Sequence, residues 1–182
     1  MTRSRSVVVT SIALATGLLV GCGTVPVNQS ERDELVRKAD TERQEWNKVD
    51  PGIEALVKDS YGVAFFPEVT KGGLGIGGAY GRGVVYERGK HVGYADMTQG
   101  TIGLQIGGQT YSEVIVLEDK AAMDRFKQNR VDFDANASAV IARTGAATNV
   151  RFVDGVAVFV RPITGAMAEA AIGGQRITYV PK

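Results

Sequence analysis

Cysteine, histidine and tryptophan are nearly missing from this 182-residue sequence, in which each occurs once. A single thiol cannot form a disulfide within the chain, so stability must come from a buried core. One histidine and one cysteine are also too few for a zinc site built from such ligands. An excess of charge of one sign is missing as well, because 21 basic residues face 20 acidic ones. This balance disfavours nucleic acid as a partner.

The single cysteine ends a short apolar segment at the start of the chain. Two arginines precede an apolar run over residues 7–20, and the small Gly21 stands directly before Cys22. This is the layout of a secretory signal, and the run is too short to span a bilayer comfortably. Leu19-Val20-Gly21-Cys22 resembles the lipobox of bacterial lipoproteins, in which the thiol receives a diacylglycerol.

The lipobox resemblance predicts a signal peptide over residues 1–21, an acylated tether over residues 22–29 and a folded domain from residue 30. Acyl chains on Cys22 would hold the mature chain on a bacterial membrane. Gly23, which is not aspartate, favours the outer membrane by resemblance to the usual sorting pattern. The alternative is an ordinary signal peptide followed by an incidental cysteine.

Two helices are predicted after the tether. Residues 30–49 are dense in charge, with Ser30 as a candidate N-cap and a narrow apolar seam that includes Leu35, Ala39 and Trp46. Acidic residues outnumber basic ones there by one, so we expect a solvated charged face and not a basic membrane-surface helix. Asp50-Pro51 then predicts the N-cap and first position of a second helix, over residues 52–59.

Glycine dominates the centre of the chain, where it occupies 14 of the 47 residues from 62 to 108. Large apolar residues alternate with small ones, as in Tyr61-Gly62-Val63-Ala64-Phe65, and a period of two predicts strands. Glycines along one strand face let another backbone approach closely, which suggests a sharply coiled or closed antiparallel sheet. Gly89-Lys90 predicts a polar hairpin turn.

The rest of the chain continues this mixture of elements. Residues 118–128 have a helical pattern, and residues 131–142, 150–160 and 166–180 have the pattern of strands, the last folded back at Gly173-Gly174. The predicted fold is a single α+β domain over residues 30–182, with its core over residues 50–182. N-terminal helices pack with a strongly coiled, partly closed, glycine-rich antiparallel β-sheet.

Cofactor motifs are weak in this sequence. Gly73, Gly75 and Gly78 have the spacing of a dinucleotide fingerprint, but Gly81 and Gly83 would spoil the helix that must follow. We therefore expect no cofactor.

Catalytic constellations are equally weak. The sole histidine, His91, would have to act beside Ser112 or Ser138, and no nucleophile motif marks either serine. Asp132 and Asp134 could bind a cation or serve acid–base chemistry, although a solvated loop is the simpler interpretation. We expect a protein that is not an enzyme and has no metal site.

Four basic residues fall near the ends of the glycine-rich strands: Lys71, Arg82, Arg88 and Lys90. Together they could form a small basic cluster that binds lipid headgroups. Scattered solvent-facing charge is the alternative interpretation.

Several motifs occur in an order that resembles the SYLF family. They are Tyr61-Gly62-Val63-Ala64-Phe65-Phe66-Pro67, Lys71-Gly72-Gly73-Leu74-Gly75-Ile76-Gly77-Gly78, Gly100-Thr101-Ile102-Gly103-Leu104-Gln105-Ile106-Gly107-Gly108-Gln109 and residues 121–127. The resemblance covers about residues 53–182. It implies lipid binding, often of phosphoinositides, as in eukaryotic members, some of which also bind actin. Bacterial members resemble envelope proteins.

The predicted function is therefore non-catalytic binding of lipid or phospholipid headgroups by a membrane-anchored envelope lipoprotein. Cys22 is the predicted anchor, and the four basic residues are the predicted headgroup contacts. The alternative is a structural or scaffolding lipoprotein that binds a protein partner or the cell wall through helix 30–49.

Overall fold

The structure is a computed structural model that describes residues 28–131, 133, 139–142, 145–164 and 172–182. The predicted signal peptide, Cys22, Asp132, Asp134 and Ser138 lie outside these residues. The elements in chain order are α1 (Gln29–Val49), α2 (Pro51–Asp59), β1 (Gly62–Glu87), β2 (Lys90–Leu117), α3 (Lys120–Lys127), β3 (Val140–Ile141), a 3-10 turn (Ala147–Asn149), β4 (Val156–Thr164) and β5 (Gln175–Pro181). None of the helices in the described ranges is long and apolar enough to cross a membrane.

The two N-terminal helices begin at side-chain caps. The Asn28 side chain accepts a hydrogen bond from the backbone N–H of Glu31 at 2.9 Å, so α1 starts at Gln29 and the predicted Ser30 cap is wrong. Asparagine and serine cap helices about equally well, and local sequence could not separate them. The predicted start of α2 is confirmed, since Asp50 accepts from the Gly52 N–H at 3.0 Å and Pro51 is the first helical residue.

A single long hairpin forms most of the sheet. β1 and β2 pair antiparallel from Gly62 opposite Leu117 to Glu87 opposite Lys90. Arg88 (φ +48°) and Gly89 (φ +73°) lie between them, and a two-residue turn with both φ values positive matches the right-handed twist of hairpin strands. The predicted polar turn is confirmed, one residue earlier than expected.

The hairpin bends so that its turn returns to its base. Three register shifts interrupt the β1–β2 pairing, and such bulges bend strands. The Arg88 N–H donates to the Tyr61 carbonyl at 2.9 Å. A Cβ on Gly83 would lie 2.8 Å from both the Phe65 carbonyl oxygen and the Phe66 ring. The close approach that glycine was expected to permit therefore occurs within β1 itself.

The sheet is mixed and open. Its strand order is β1-β2-β4-β3, and β5 pairs with the first half of β2, Gly93–Gln99. β3 runs parallel to β4, whereas the other pairings are antiparallel. Among the described residues no pairing joins β3 to β1 or β5, so the prediction of a partly closed sheet is wrong. The parallel pair of β3 and β4 also shows that the sheet is not wholly antiparallel. The predicted α+β class is confirmed, because helices pack with this sheet. Residues 142–155 connect β3 to β4 and are numerous enough for the crossover that two parallel strands need. The alternation of residues in a sequence does not show whether two strands pair parallel or antiparallel.

Three predicted strands have different bounds among the residues that the structure describes. Of residues 131–142, only Val140–Ile141 form a strand among those described. β4 begins at Val156 instead of residue 150, after a turn at Asp154-Gly155. β5 begins at Gln175, directly after the predicted turn at Gly173-Gly174, whose Gly174 has φ +74°.

Two apolar cores lie on opposite faces of the bent sheet. The helix face packs against α1 and α2, and its core includes Leu35, Trp46, Ile53, Val57, Phe65, Val114, Val116 and Phe159. The inner face packs against α3, and its core includes Phe66, Val85, Met97, Ile115, Leu117, Met123, Phe126 and Ile177. The apolar seam predicted for the first helix is confirmed, because Leu35, Ala39 and Trp46 are buried.

Candidate functional site

A surface pocket of about 180 Å³ lies where the hairpin turn meets the base of the hairpin. α1 contributes Arg43, α2 contributes its last turn with Lys58, and the turn contributes Arg88. The remaining lining residues are Val57, Ser60, Gly62, Val63, Tyr86 and Gly89. We call this the turn pocket. It exists because the bent hairpin brings its turn back to the end of α2.

Three cationic side chains line the turn pocket, and one carboxylate lies beside two of them. Arg43 donates two hydrogen bonds to Glu54, at 2.9 and 2.7 Å, and the Lys58 ammonium lies 3.5 Å from the same carboxylate. These bonds lower the pKa of Glu54 and raise that of Arg43. Asp40 is a second carboxylate that acts on Arg43 and Tyr86, and three positive charges against these two negative ones leave the pocket positive and suited to an anion.

Arg88, the third cation of the pocket, contacts an aromatic ring, whereas Arg43 and Lys58 lie beside Glu54. The Arg88 guanidinium lies over the Tyr61 ring, 4.6 Å from its centroid, which is a cation–π contact. The Arg88 side chain is exposed at the turn. Burial raises the pKa of the neighbouring Tyr86 to about 12, so its hydroxyl stays neutral and can donate a hydrogen bond.

The structure does not gather the four predicted headgroup residues into one site. Lys71 is opposite Gln109 and only 8% exposed, and burial lowers the pKa of its ammonium. Arg82 lies 3.5 Å from Glu31 of α1, where it ties the hairpin to the helix. Neither residue lines the turn pocket, and headgroup binding by these two residues stays a prediction.

Arg88 and Lys90 do lie together at the turn. Arg88 lines the turn pocket, and Lys90 is exposed and opposite Glu87. Their role in headgroup binding remains a prediction.

Sequence reasoning missed Arg43 and Lys58. They lie on two different helices, and only the packing of α2 against α1 places both beside Arg88. The Asp50-Pro51 signal marked the boundary between the helices, but helix-to-helix packing does not follow from a cap. No local pattern distinguishes these two cations from the other charges of α1 and α2.

The sole histidine and the serine considered with it do not meet. His91 Nε2 lies 3.1 Å from the Gly93 carbonyl oxygen, and the ring packs against Tyr86 and Tyr94. Burial lowers the pKa of His91, and nearby Lys182 lowers it further. Ser112 is buried on the helix face, where it accepts a 2.8 Å hydrogen bond from the Trp46 indole.

Metal-ligating side chains do not cluster in the part of the chain that the structure describes. No group of three or more histidine, cysteine, aspartate or glutamate residues there could hold an ion.

The fold and the turn pocket define an α+β domain with a bent hairpin and a basic surface pocket. Residues 98–179 match the family model described as "Ysc84: Las17-binding protein actin regulator". This match confirms the predicted resemblance to the SYLF family over residues 98–179 of the chain. The turn pocket lies before the matched residues, whereas β5 lies almost wholly within them.

A curated relative supports the same family. "Beta cell expansion factor A" of Aeromonas veronii is 29% identical over 128 residues, which are 69% of this chain and 48% of that protein. The chain thus spans about half the length of this relative.

Proposed function

We propose that this chain is a lipid-anchored protein of the bacterial envelope and that the turn pocket is its second membrane contact, which binds anionic phospholipid headgroups without catalysis. The observation that carries the proposal is the meeting of Arg43, Lys58 and Arg88 around one pocket. Ser60 and Tyr86 line the same pocket and supply hydroxyl donors for phosphate oxygens.

The position of the turn pocket suits contact with a membrane surface. Arg88 and Gly89 are exposed at the tip of the hairpin, so a headgroup can reach them without any rearrangement of the core. Each basic residue close to an anionic membrane contributes about 1 kcal/mol to binding. A pocket with three such residues adds to the attachment that acyl chains on Cys22 would provide.

Flotation with vesicles tests headgroup binding apart from the anchor. The chain from residue 22 with Cys22→Ala would be mixed with vesicles of phosphatidylcholine alone or with added phosphatidylglycerol. We expect binding only to the anionic vesicles. Neutralising two cations with Lys58→Gln and Arg88→Gln should weaken it by about 2 kcal/mol, or roughly 30-fold.

A matched control separates the pocket from net charge. Lys120 and Arg176 are exposed and lie outside the turn pocket, so Lys120→Gln with Arg176→Gln removes the same charge elsewhere. We expect this variant to bind within about threefold of the parent. Equal losses in both variants, or binding to neutral vesicles, would contradict the proposal.

The anchor has its own test. Mass spectrometry of the protein from its native host should find the chain starting at Cys22 with a diacylglycerol on the sulfur, in the outer-membrane fraction. An unmodified thiol at Cys22 would remove the anchor and leave headgroup binding to be judged by flotation alone.

The matched family is described as a Las17-binding actin regulator, which favours protein binding as a second candidate function. A scaffolding role would use the outward face of α1, where Asp33, Glu34, Arg37 and Lys38 are exposed. Replacing Arg37 and Lys38 with glutamate should then abolish capture of an envelope protein by the chain, and the Lys58→Gln and Arg88→Gln variant should retain it.

A further inference from the structure

A carboxyl group is enclosed in the inner face of the sheet. Glu113 lies in the second half of β2, opposite Phe66 of β1 and Val160 of β4, and its exposed fraction is 0%. Both of these partners belong to the apolar core of the inner face. Glutamate is almost never fully buried without a charged partner, so its presence here needs an explanation.

Glu113 has one hydrogen bond and no counter-ion among the described residues. Gln175 Nε2 donates to Glu113 Oε2 at 3.0 Å, while Glu113 Oε1 has no hydrogen-bond partner in the described part of the chain. One neutral amide cannot replace the hydration of a carboxylate. Burial accordingly raises the pKa of Glu113 to about 7, against the lowering effect of the Gln175 bond.

The Gln175–Glu113 bond connects two distant parts of the bent sheet. Gln175 is the first residue of β5, whose backbone pairs with the first half of β2, opposite Gln99. Glu113 belongs to the second half of β2. The residues just before β5 are also held at this point, since Gln99 Nε2 donates to the Gly173 carbonyl at 2.9 Å.

Few other titratable groups share the inner face with Glu113. The titratable residue on β2 is Tyr111. Burial raises the pKa of Tyr111 and Glu113 raises it further, so the phenol stays neutral. The titratable residues on β1 are Lys71 and Glu87. Lys71 is buried and opposite Gln109, and Glu87 at the end of the strand forms an ion pair with Lys127 of α3. The inward residues of β4 and β5 that are described include Val158, Val160 and Ile177, and the titratable one among them is Tyr179, whose pKa is raised by burial so that the phenol stays neutral.

We infer that Glu113 and Gln175 form a proton-controlled clasp on the start of β5. With the carboxyl protonated, β5 stays docked across the inner face. With the carboxyl ionised, residues 172–177 detach locally so that water can reach Glu113, and the rest of the sheet stays folded. The clasp does not depend on headgroup binding, because neither residue lines the turn pocket.

Hydrogen exchange measured by mass spectrometry tests the clasp. The Cys22→Ala chain would be compared at about pH 5.5 and about pH 8.5, either side of the titration, with rates corrected for the intrinsic effect of pH. We expect the protection factors of residues 172–177 to fall at least tenfold at the higher pH. Residues 156–160 of β4 serve as the internal control and should lose less protection than residues 172–177.

The Glu113→Gln variant keeps the shape and removes the charge. It should show the same protection of residues 172–177 at both pH values. The inference is overturned if the parent keeps its protection at the higher pH, if the variant loses it equally, or if β4 loses as much protection as β5. Carbon-13 NMR titration of the parent gives a readout that needs no variant, and a Glu113 midpoint near the ordinary value of 4.5 would also overturn it.

Discussion

The two faces of the sheet treat buried polar groups differently. On the helix face such groups are paired: the Trp46 indole donates to Ser112, and Arg161 of β4 donates to Glu42 of α1 at 2.7 Å. On the inner face, Glu113 has a single neutral donor. Polar contacts thus fasten the helices on one face, whereas on the other face a buried carboxyl makes the packing depend on its protonation.

The largest expected effect is on the helix face, at Trp46. Trp46→Ala should lower the free energy of unfolding by about 3–5 kcal/mol, because it leaves a cavity and removes the partner of a buried hydroxyl. Denaturant titration measures this. Trp46→Phe is the control and should lose less, since it keeps most of the volume. A loss under about 1 kcal/mol for Trp46→Ala would show that α1 is not fastened to the sheet here.

The ion pair between α1 and β4 should come next. Glu42 and Arg161 have side chains only 11% and 19% exposed, so Glu42→Ala leaves an enclosed guanidinium and should cost about 3 kcal/mol. Replacing both partners, as Glu42→Leu with Arg161→Met, should recover much of that loss. If Glu42→Ala were as stable as the parent, water would already solvate the Glu42–Arg161 pair and the prediction would be wrong.

The inner face should respond to pH instead. The pKa of Glu113 is about 7 in the folded chain and near 4.5 when unfolded. Between these values the unfolded chain releases a proton that the folded chain keeps, so stability is highest below pH 4.5 and falls as pH rises to about 7. The loss should approach roughly 3 kcal/mol in denaturant titrations across this range. Glu113→Gln should make the free energy of unfolding independent of pH across this range. If the dependence persisted in this variant, another titrating group would be its cause.

A smaller effect concerns the close approach within β1. Gly83→Ala would place its Cβ 2.8 Å from the Phe65 carbonyl oxygen, where the backbone must shift, and should cost about 1–3 kcal/mol. Gly100→Ala is the matched control, because nothing lies within 4 Å of its Cβ and alanine costs less entropy than glycine in a strand. Thermal unfolding would compare the two. Equal effects would refute a tight crossing in the hairpin.

The smallest effect tests where α1 begins. Asn28→Ala removes the cap seen in the structure and should cost about 1 kcal/mol, whereas Ser30→Ala should change little. Denaturant titration of the two variants distinguishes the caps. The opposite ranking would restore the cap at Ser30.

Local signals predicted much of the fold. Asp50-Pro51 marked α2, the seam of Leu35, Ala39 and Trp46 marked the buried side of α1, and alternation marked the hairpin. Each depends on neighbours within a turn of helix or a few strand residues. Of the lining of the candidate site, only Arg88 was predicted, because Lys71 and Arg82 belong to β1 and do not line the turn pocket.

The helices, the glycine-bearing strands of the hairpin and the family motifs could be predicted from the sequence, since these depend on side-chain period and backbone freedom. Only the tertiary structure decided that the hairpin turn returns to α2, that Arg43 and Lys58 join Arg88, and that Gln175 reaches Glu113. The physical reason is distance along the chain: these contacts join residues that no local period relates, and the bulges and close crossing of β1 that bring them together appear only when the core packs.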